Sequence, residues 1–337
     1  MGRRLRPGIS MLFPFALQTG AREAPAAVTE QAVDSVTTPA PTAEEESTGG
    51  EPLPDAAAPS PEGIMAKAGS ENFPVASRLL PGRLRRHLLA IYGFARLVDD
   101  IGDEATGDRL ALLDALERDL DRLYAGETPH NQLVRRLGPT VRECAIPPEP
   151  FRRLIAANRQ DQLVSTYETF DDLLAYCELS ANPVGHLVLH VVGRATPVRL
   201  RLSDRICTGL QLTEHWQDVS EDLARGRVYI PQEDLERFGC SPDDLRRRPA
   251  SPAFRALMSF EVTRARELLH DGGPLVRALR GHPRLAVAGF VAGGRAALDA
   301  IERAGCDVMG GAPRPSRGRQ VVELGKVLAE ARGWTTA

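Results

Sequence analysis

The chain has 337 residues, of which 42% are hydrophobic and 26% charged, enough to bury a substantial core in one large or two small domains. The net charge of −3 hides a division: the first 65 residues carry nine acids against four arginines, so the remainder is nearly neutral, and the absence of a Lys/Arg run argues against a nucleic-acid partner. The cysteines (Cys144, Cys177, Cys207, Cys240, Cys306) form no Cys-x-x-Cys pair, which argues against a disulfide framework or zinc ribbon and points to a reducing, cytoplasmic setting.

Residues 1 to 68 are rich in Ala, Pro, Glu, Thr and Gly and show no apolar period, so they are expected to form a disordered extension. Arg3-Arg4 and the apolar stretch Ile9 to Leu17 mimic a short export signal. Pro14 interrupts that stretch and no small-x-small cleavage site follows closely, so a misplaced start codon explains it at least as well. The rest, 69 to 337, is expected to be one all-α domain.

From residue 72 the periodicity is helical, punctuated by Pro and Gly. Leu84, Leu88, Ile91, Ala95 and Val98 mark a helix over about 83–102. Leu110, Leu113, Leu116, Leu120 and Leu123 mark a second, with Gly126 placed as its C-terminal cap. Further helices are expected over about 150–166, 170–193, 203–224 (Ser203 as N-cap), 252–270, 283–304 and 316–332 (Ser316 as N-cap). The one extended candidate is Arg227 to Ile230, ended by Pro231, so a sheet is not expected. The most apolar window, 284–301, contains Arg295 and Asp299 and falls short of the ~20 uncharged residues of a membrane span.

The first helix ends in Asp99-Asp100-Ile101-Gly102-Asp103-Glu104. Asp99 and Asp103 share a face with Tyr92 and Arg96. Acids crowded at a helix C-terminus repel one another and oppose the helix dipole unless a cation compensates. Alone, such a cluster reads as a solvated helix end. A second stripe, Gln211, Glu214, Asp218 and Asp222, lies on one face of the helix expected over 203–224, and Arg225, Arg227 and Tyr229 follow it.

Two acidic stripes followed by paired arginines suit a metal and diphosphate site, in which carboxylates coordinate magnesium and guanidinium forks take the remaining phosphate oxygens. Four aspartates, a diphosphate and about three magnesium ions would sum close to neutral. The metal would assist departure of the diphosphate and leave a carbocation, which apolar and aromatic walls must shield from water. Phe73, Tyr92, Phe94 and Tyr176 are wall candidates, although each also reads as ordinary core. His215 is the histidine nearest the acidic face and a candidate for a proton relay, whereas His186 and His190 lack the Glu-x-x-His partner of a di-iron bundle. The stripe Gly289, Gly293, Ala297 suggests close helix approach. No Gly-x-Gly-x-x-Gly or Walker loop appears, so neither a nicotinamide nor an ATP site is indicated.

The chain resembles the squalene/phytoene synthase family over roughly 72–332. The first motif is Tyr92-x-Phe94-x-Arg96-x-x-Asp99-Asp100-x-x-Asp103. The second is Gln211-x-x-x-x-x-Gln217-Asp218-x-x-Glu221-Asp222, followed by Arg225-Gly226-Arg227-x-Tyr229-x-Pro231. Tyr176 to Gly185 resembles the family's central helix. Glu71 to Ser77 and Ala296 to Gly305 resemble its hopanoid-pathway, hydroxysqualene synthase branch.

The resemblance implies an isoprenoid-synthase helical bundle with a central active-site cavity, and ionisation of presqualene diphosphate with rearrangement and water capture to give hydroxysqualene. It implies Asp99, Asp103, Glu214, Asp218 and Asp222 as magnesium ligands, and the four aspartates with Tyr92 and Tyr176 as catalytic residues. Arg96, Arg225, Arg227, Tyr229, Phe73 and Gln211 are implied to bind substrate. Reduction would fall to a partner enzyme of the squalene pathway, and the apolar product suggests peripheral association with the inner membrane face. A squalene or phytoene synthase condensing two prenyl diphosphates, and a non-catalytic scaffold, are the alternatives. Glu214 stands where many members have Asn, and Cys306 where Tyr is expected.

Overall fold

A computed structural model describes residues 81–333, so Phe73, the expected disordered extension and the motif Glu71 to Ser77 lie outside the described residues. Among the described residues there are twelve helices and no strand: α1 (Gly82–Asp103), α2 (Arg109–Ala125), α3 (Gln132–Cys144), α4 (Glu149–Gln160), α5 (Phe170–Ser180), α6 (Asn182–Val191), α7 (Pro197–Leu223), α8 (Gln232–Arg237), α9 (Pro252–Asp271), α10 (Pro274–Ala278), α11 (Gly281–Arg303) and α12 (Arg317–Glu330).

Local chemistry accounts for most boundaries. Asp108 caps α2 by accepting from the Ala111 amide, and Gly126 ends it at φ 82°, the left-handed cap its position suggested. Ser316 caps α12 as expected. Several expectations need correction. The helix expected over about 150–166 ends at Gln160, and its last expected residues run on as the stretch that pairs with Val228. The stretch 170–193 is two helices, because Pro183 has no N–H to donate and fits only a first turn, so α5 stops at Ser180 and α6 restarts at Asn182. Ser203 caps nothing: it is buried inside α7, which begins two turns earlier at Pro197 behind the cap Thr196. Helix α3 was missed because Pro139 interrupts its pattern, yet Asn131 caps it through the amides of Leu133 and Val134.

The helices bury two apolar clusters. One gathers α5, α7, α9 and α11 around Trp216, Phe254 and Leu269, and the other gathers α1 to α4 and α6 around Leu113, Phe94 and Phe151. Phe290 on α11 packs against both. Close approach of α11 to its neighbours falls at Gly294, where an added Cβ would lie 2.8 Å from Leu210 and Leu269. Gly289 faces open space, so the expected small-residue stripe is displaced by part of a turn.

The extended stretch expected after α7 is present. Val228 bridges Thr166 in parallel register, the Val228 amide donates to the Ser165 carbonyl (2.8 Å), and the Gln232 amide donates to Tyr167 (2.9 Å). This pairing ties the chain leaving α7 to the chain leaving α4, and it sits beside the C-terminal ends of both helices.

Candidate active site

Asp99 and Asp103 emerge from the last turn of α1. They line a pocket with Asn158 and Asp161 from α4 and its C-cap, Tyr176 from α5, and Arg227 and Tyr229 from the extended stretch. A second pocket is lined by His215, Val219 and Asp222 from α7, again with Arg227 and Tyr229. Arg227 and Tyr229 therefore form a shared wall between two adjoining pockets, with Asp99 and Asp103 of α1 on one side and Asp222 of α7 on the other. The chain after α7 is held in place by its backbone bonds to 165–167, and the Arg227 side chain by its bonds to Asp161 and Tyr229.

The electrostatics are those of a cation-deficient site. Burial pushes the Asp99 carboxyl well above the carboxylate range, Asp103 adds to the rise, and the Asn158 amide, donating at 3.2 Å, opposes it. Asp222 is pushed up to about 7 by burial and then by Asp218, against the pull of Arg225 and Arg227. Its Oδ2 is buried without a hydrogen-bond partner among the described residues. Asp161 rises to about 6 through burial, although Arg227 pairs with it at 3.4 Å and Tyr176 donates to it at 3.2 Å.

These are hard oxygen donors whose charge is poorly compensated by protein alone, which is the fit magnesium requires. Among the described residues no three His, Cys, Asp or Glu side chains gather into a ready-made ligand set. Magnesium characteristically binds through one or two carboxylates together with substrate phosphates, so paired acids on two helices suit it better than a closed cage.

The aromatic residues form one stack. His215 lies on Tyr229 with ring centroids 3.7 Å apart and planes 16° from parallel, Tyr167 stacks on Tyr229 at 5.8 Å and meets Tyr176 at 5.5 Å with the planes tilted by 47°, and Tyr176 lies 5.9 Å from Tyr229. Burial and the nearby Arg227 lower the His215 pKa to about 3, so its imidazole is neutral near pH 7, bonded to Gln211 at 3.0 Å. Its ring belongs to the stack and lines the pocket shared with Asp222.

Other expected residues are placed differently. Arg96 pairs with Asp100 at 2.7 Å, and Arg225 reaches Asp222 at 3.7 Å from an exposed position. Tyr92, Gln211 and Glu214 are buried but line neither pocket, and Asp218 lines neither, while standing close enough to Asp222 to raise it. Phe94 packs edge-on against Phe151 at 5.0 Å and belongs to the core. Sequence reasoning missed Asp161, Asn158 and Tyr167. Asn158 and Asp161 are three residues apart at the end of α4, a spacing that puts both on one face, yet neither belongs to an acidic cluster that would draw notice.

Comparison with known proteins agrees with this arrangement. The family model described as squalene/phytoene synthase matches residues 66–323. The chain is 38% identical over 215 residues to a hydroxysqualene synthase of Rhodopseudomonas palustris, covering 62% of this chain and 72% of that one. It is 34% identical over 253 residues to a 15-cis-phytoene synthase of Synechococcus elongatus, covering 71% and 82%. The solved squalene synthase HpnC from Alicyclobacillus acidocaldarius superposes with a TM-score of 0.68 at 44% identity, covering 73% of this chain and 96% of that one. A dehydrosqualene synthase solved with a ligand gives 0.70 at 25% identity, covering 81% and 96%.

Proposed function

The chain belongs to the squalene/phytoene synthase family, whose members process prenyl diphosphates and generally depend on divalent metal, and from that premise we propose that it ionises presqualene diphosphate and lets water capture the rearranged cation as hydroxysqualene. The observation that carries this reading is the shared wall of Arg227 and Tyr229, which sets acids of α1 and α7 on either side of one cationic and aromatic partition. The greater identity to a hydroxysqualene synthase than to a phytoene synthase supports the choice of reaction.

Asp99, Asp103, Asp218 and Asp222 would hold magnesium, with Glu214 as a further oxygen donor. Bound there, the metal supplies Lewis-acid stabilisation of the leaving diphosphate. Arg227, which lines both pockets, would donate to phosphate oxygens, with Arg225 beside Asp222 and Arg96 as further donors to the same end of the substrate. Tyr176, Tyr229 and the neutral His215 present ring faces and edges that stabilise cationic carbon and exclude water. Gln211 backs this wall through its bond to His215, and Tyr92 and Phe73 are proposed as further substrate-facing residues. Residues 69–337 act as the single catalytic domain, with 1–68 as an appendage.

The substrate carries a long hydrocarbon behind its diphosphate and the product is nearly all hydrocarbon, and among the described residues no helix is long and apolar enough to cross a membrane. The protein therefore exchanges both at a membrane surface and hands hydroxysqualene to a separate reductase. The same site could condense two prenyl diphosphates head-to-head, a reading favoured by the likeness to a 15-cis-phytoene synthase. Incubation with magnesium and presqualene, farnesyl or geranylgeranyl diphosphate, followed by mass spectrometry of the extracted lipid, separates these readings. Hydroxysqualene from presqualene diphosphate supports the first; phytoene from geranylgeranyl diphosphate, or no turnover of presqualene diphosphate, would reject it.

A further inference from the structure

Away from the carboxylates, α1 and α3 enclose an outer groove of about 470 Å³, within the size range of sites that hold one small ligand. Leu89, Ala90 and Gly93 from α1 and Leu133 and Pro139 from α3 form its apolar walls, and Arg86, Arg135 and Arg136 stand around them. On α1 this face is rotated by roughly 100° from the face of Asp99 and Asp103, and its centre lies roughly 15 Å nearer the helix N-terminus. The groove is separate from the active site.

Charge is concentrated here in a body that is otherwise balanced. Stretches 82–90 and 132–144 carry six arginines and a single acid, Glu143. That acid is already shared among Arg83 at 3.6 Å, Arg86 at 3.7 Å and the buried His87 at 3.4 Å. Arg135 donates to the Pro129 carbonyl, and Arg136 is exposed and paired with no carboxylate among the described residues.

We propose that this groove docks the protein on an anionic phospholipid surface, the arginines taking lipid phosphates and the apolar walls taking part of an acyl chain. The proposal rests on the exchange of substrate and product at a membrane and names the face that meets it. A second copy of the chain fits poorly, because a two-fold contact would set arginine against arginine. The chain's own extension keeps the two chemistries apart, its acids at Glu44 to Glu46 lying far along the chain from its apolar stretch Ile9 to Leu17, so no one segment of it offers both side by side. A phospholipid offers both.

Flotation of the full chain with phosphatidylcholine vesicles, with and without phosphatidylglycerol, tests this. The expected result is binding to the anionic vesicles alone, lost near 1 M NaCl, where the screening length falls to about 3 Å. Arg135→Gln with Arg136→Gln should weaken partition about 30-fold, and Arg136→Gln alone about fivefold, at about 1 kcal/mol per surface arginine. Turnover in detergent micelles should stay unchanged in both. Equal flotation on neutral vesicles, wild-type flotation by the double variant, or a change in its oligomeric mass without lipid would overturn the proposal. So would vesicle binding that appears only after Glu44, Glu45 and Glu46 are changed to Gln, since the groove would then belong to the extension. The single variant keeps the test intact should the double variant unfold. Lost turnover with intact flotation would count against the proposed reaction and leave the docking face standing.

Discussion

The imidazole of His215 lies flat against the phenol ring of Tyr229 at 3.7 Å and is held neutral by burial and by Arg227. Its contribution is therefore shape and polarisability rather than proton transfer. His215→Phe should keep the stack, lose the bond to Gln211, and lower kcat/KM by less than about tenfold. The pH–rate profile between pH 5 and 9 should keep its shape. A limb that disappears in the variant would show that the imidazole does carry a proton.

Acids of both helices are required if the two pockets act as one site. Asp99→Ala and Asp218→Ala should each reduce kcat by at least about a thousandfold, the several kcal/mol that metal-assisted charge stabilisation supplies, with helicity by circular dichroism unchanged. Full activity in either variant would remove the two-sided mechanism.

Arg227 is bonded to both the carbonyl and the carboxylate of Asp161 and to the Tyr229 hydroxyl, so it holds the partition together as well as facing substrate. Arg227→Ala leaves Asp161 partly buried and unpaired and should cost about 3 kcal/mol in urea unfolding. Adding Asp161→Asn should return part of that stability without returning activity.

Glycine at 102 is required by packing. A Cβ there would overlap the amide of Asn158, which donates to Asp99. Gly102→Ala should destabilise the fold by about 1–3 kcal/mol and lower kcat. Combining it with Asn158→Ala should recover stability more than additively, a coupling read from the double-mutant cycle.

Glu261 on α9 is wholly buried, with Arg264 3.6 Å away and the acid Asp234, which shares that arginine, beside it. Burial raises its pKa to about 8, against an unfolded value near 4.5. The folded state thus holds the proton more tightly, so this contribution to stability is fully present below about pH 4.5 and is lost as pH rises toward 8. Glu261→Gln should raise stability by a few kcal/mol near pH 8.5 and change it little at pH 4.5, measured by thermal unfolding at both. Equal shifts at the two pH values would contradict the assignment.

Much of this architecture was legible in residue spacing. The Leu stripe and Gly126 delimit α2, and the four-residue spacing of Asp99 and Asp103 puts both in one pocket. Legibility failed where local signals conflicted. Pro139 obscured a helix that Asn131 nonetheless starts, and Ser203 looked like a cap although Thr196 and Pro197 begin α7 earlier. It also failed where function arises from pairing between distant segments. Nothing near Asp161 in sequence announces Arg227, because their contact depends on two loops meeting after α4 and α7.

The backbone bonds from Val228 to Ser165 and from Gln232 to Tyr167 fix where the link after α7 lies. Lengthening it by a single residue between Gly226 and Ile230 would break that spacing and carry the Arg227 guanidinium away from Asp161 or the Tyr229 ring away from His215. Insertions across 227–230, where Tyr229 and Ile230 are buried, should therefore be far more damaging than insertions into the more exposed loop 239–250.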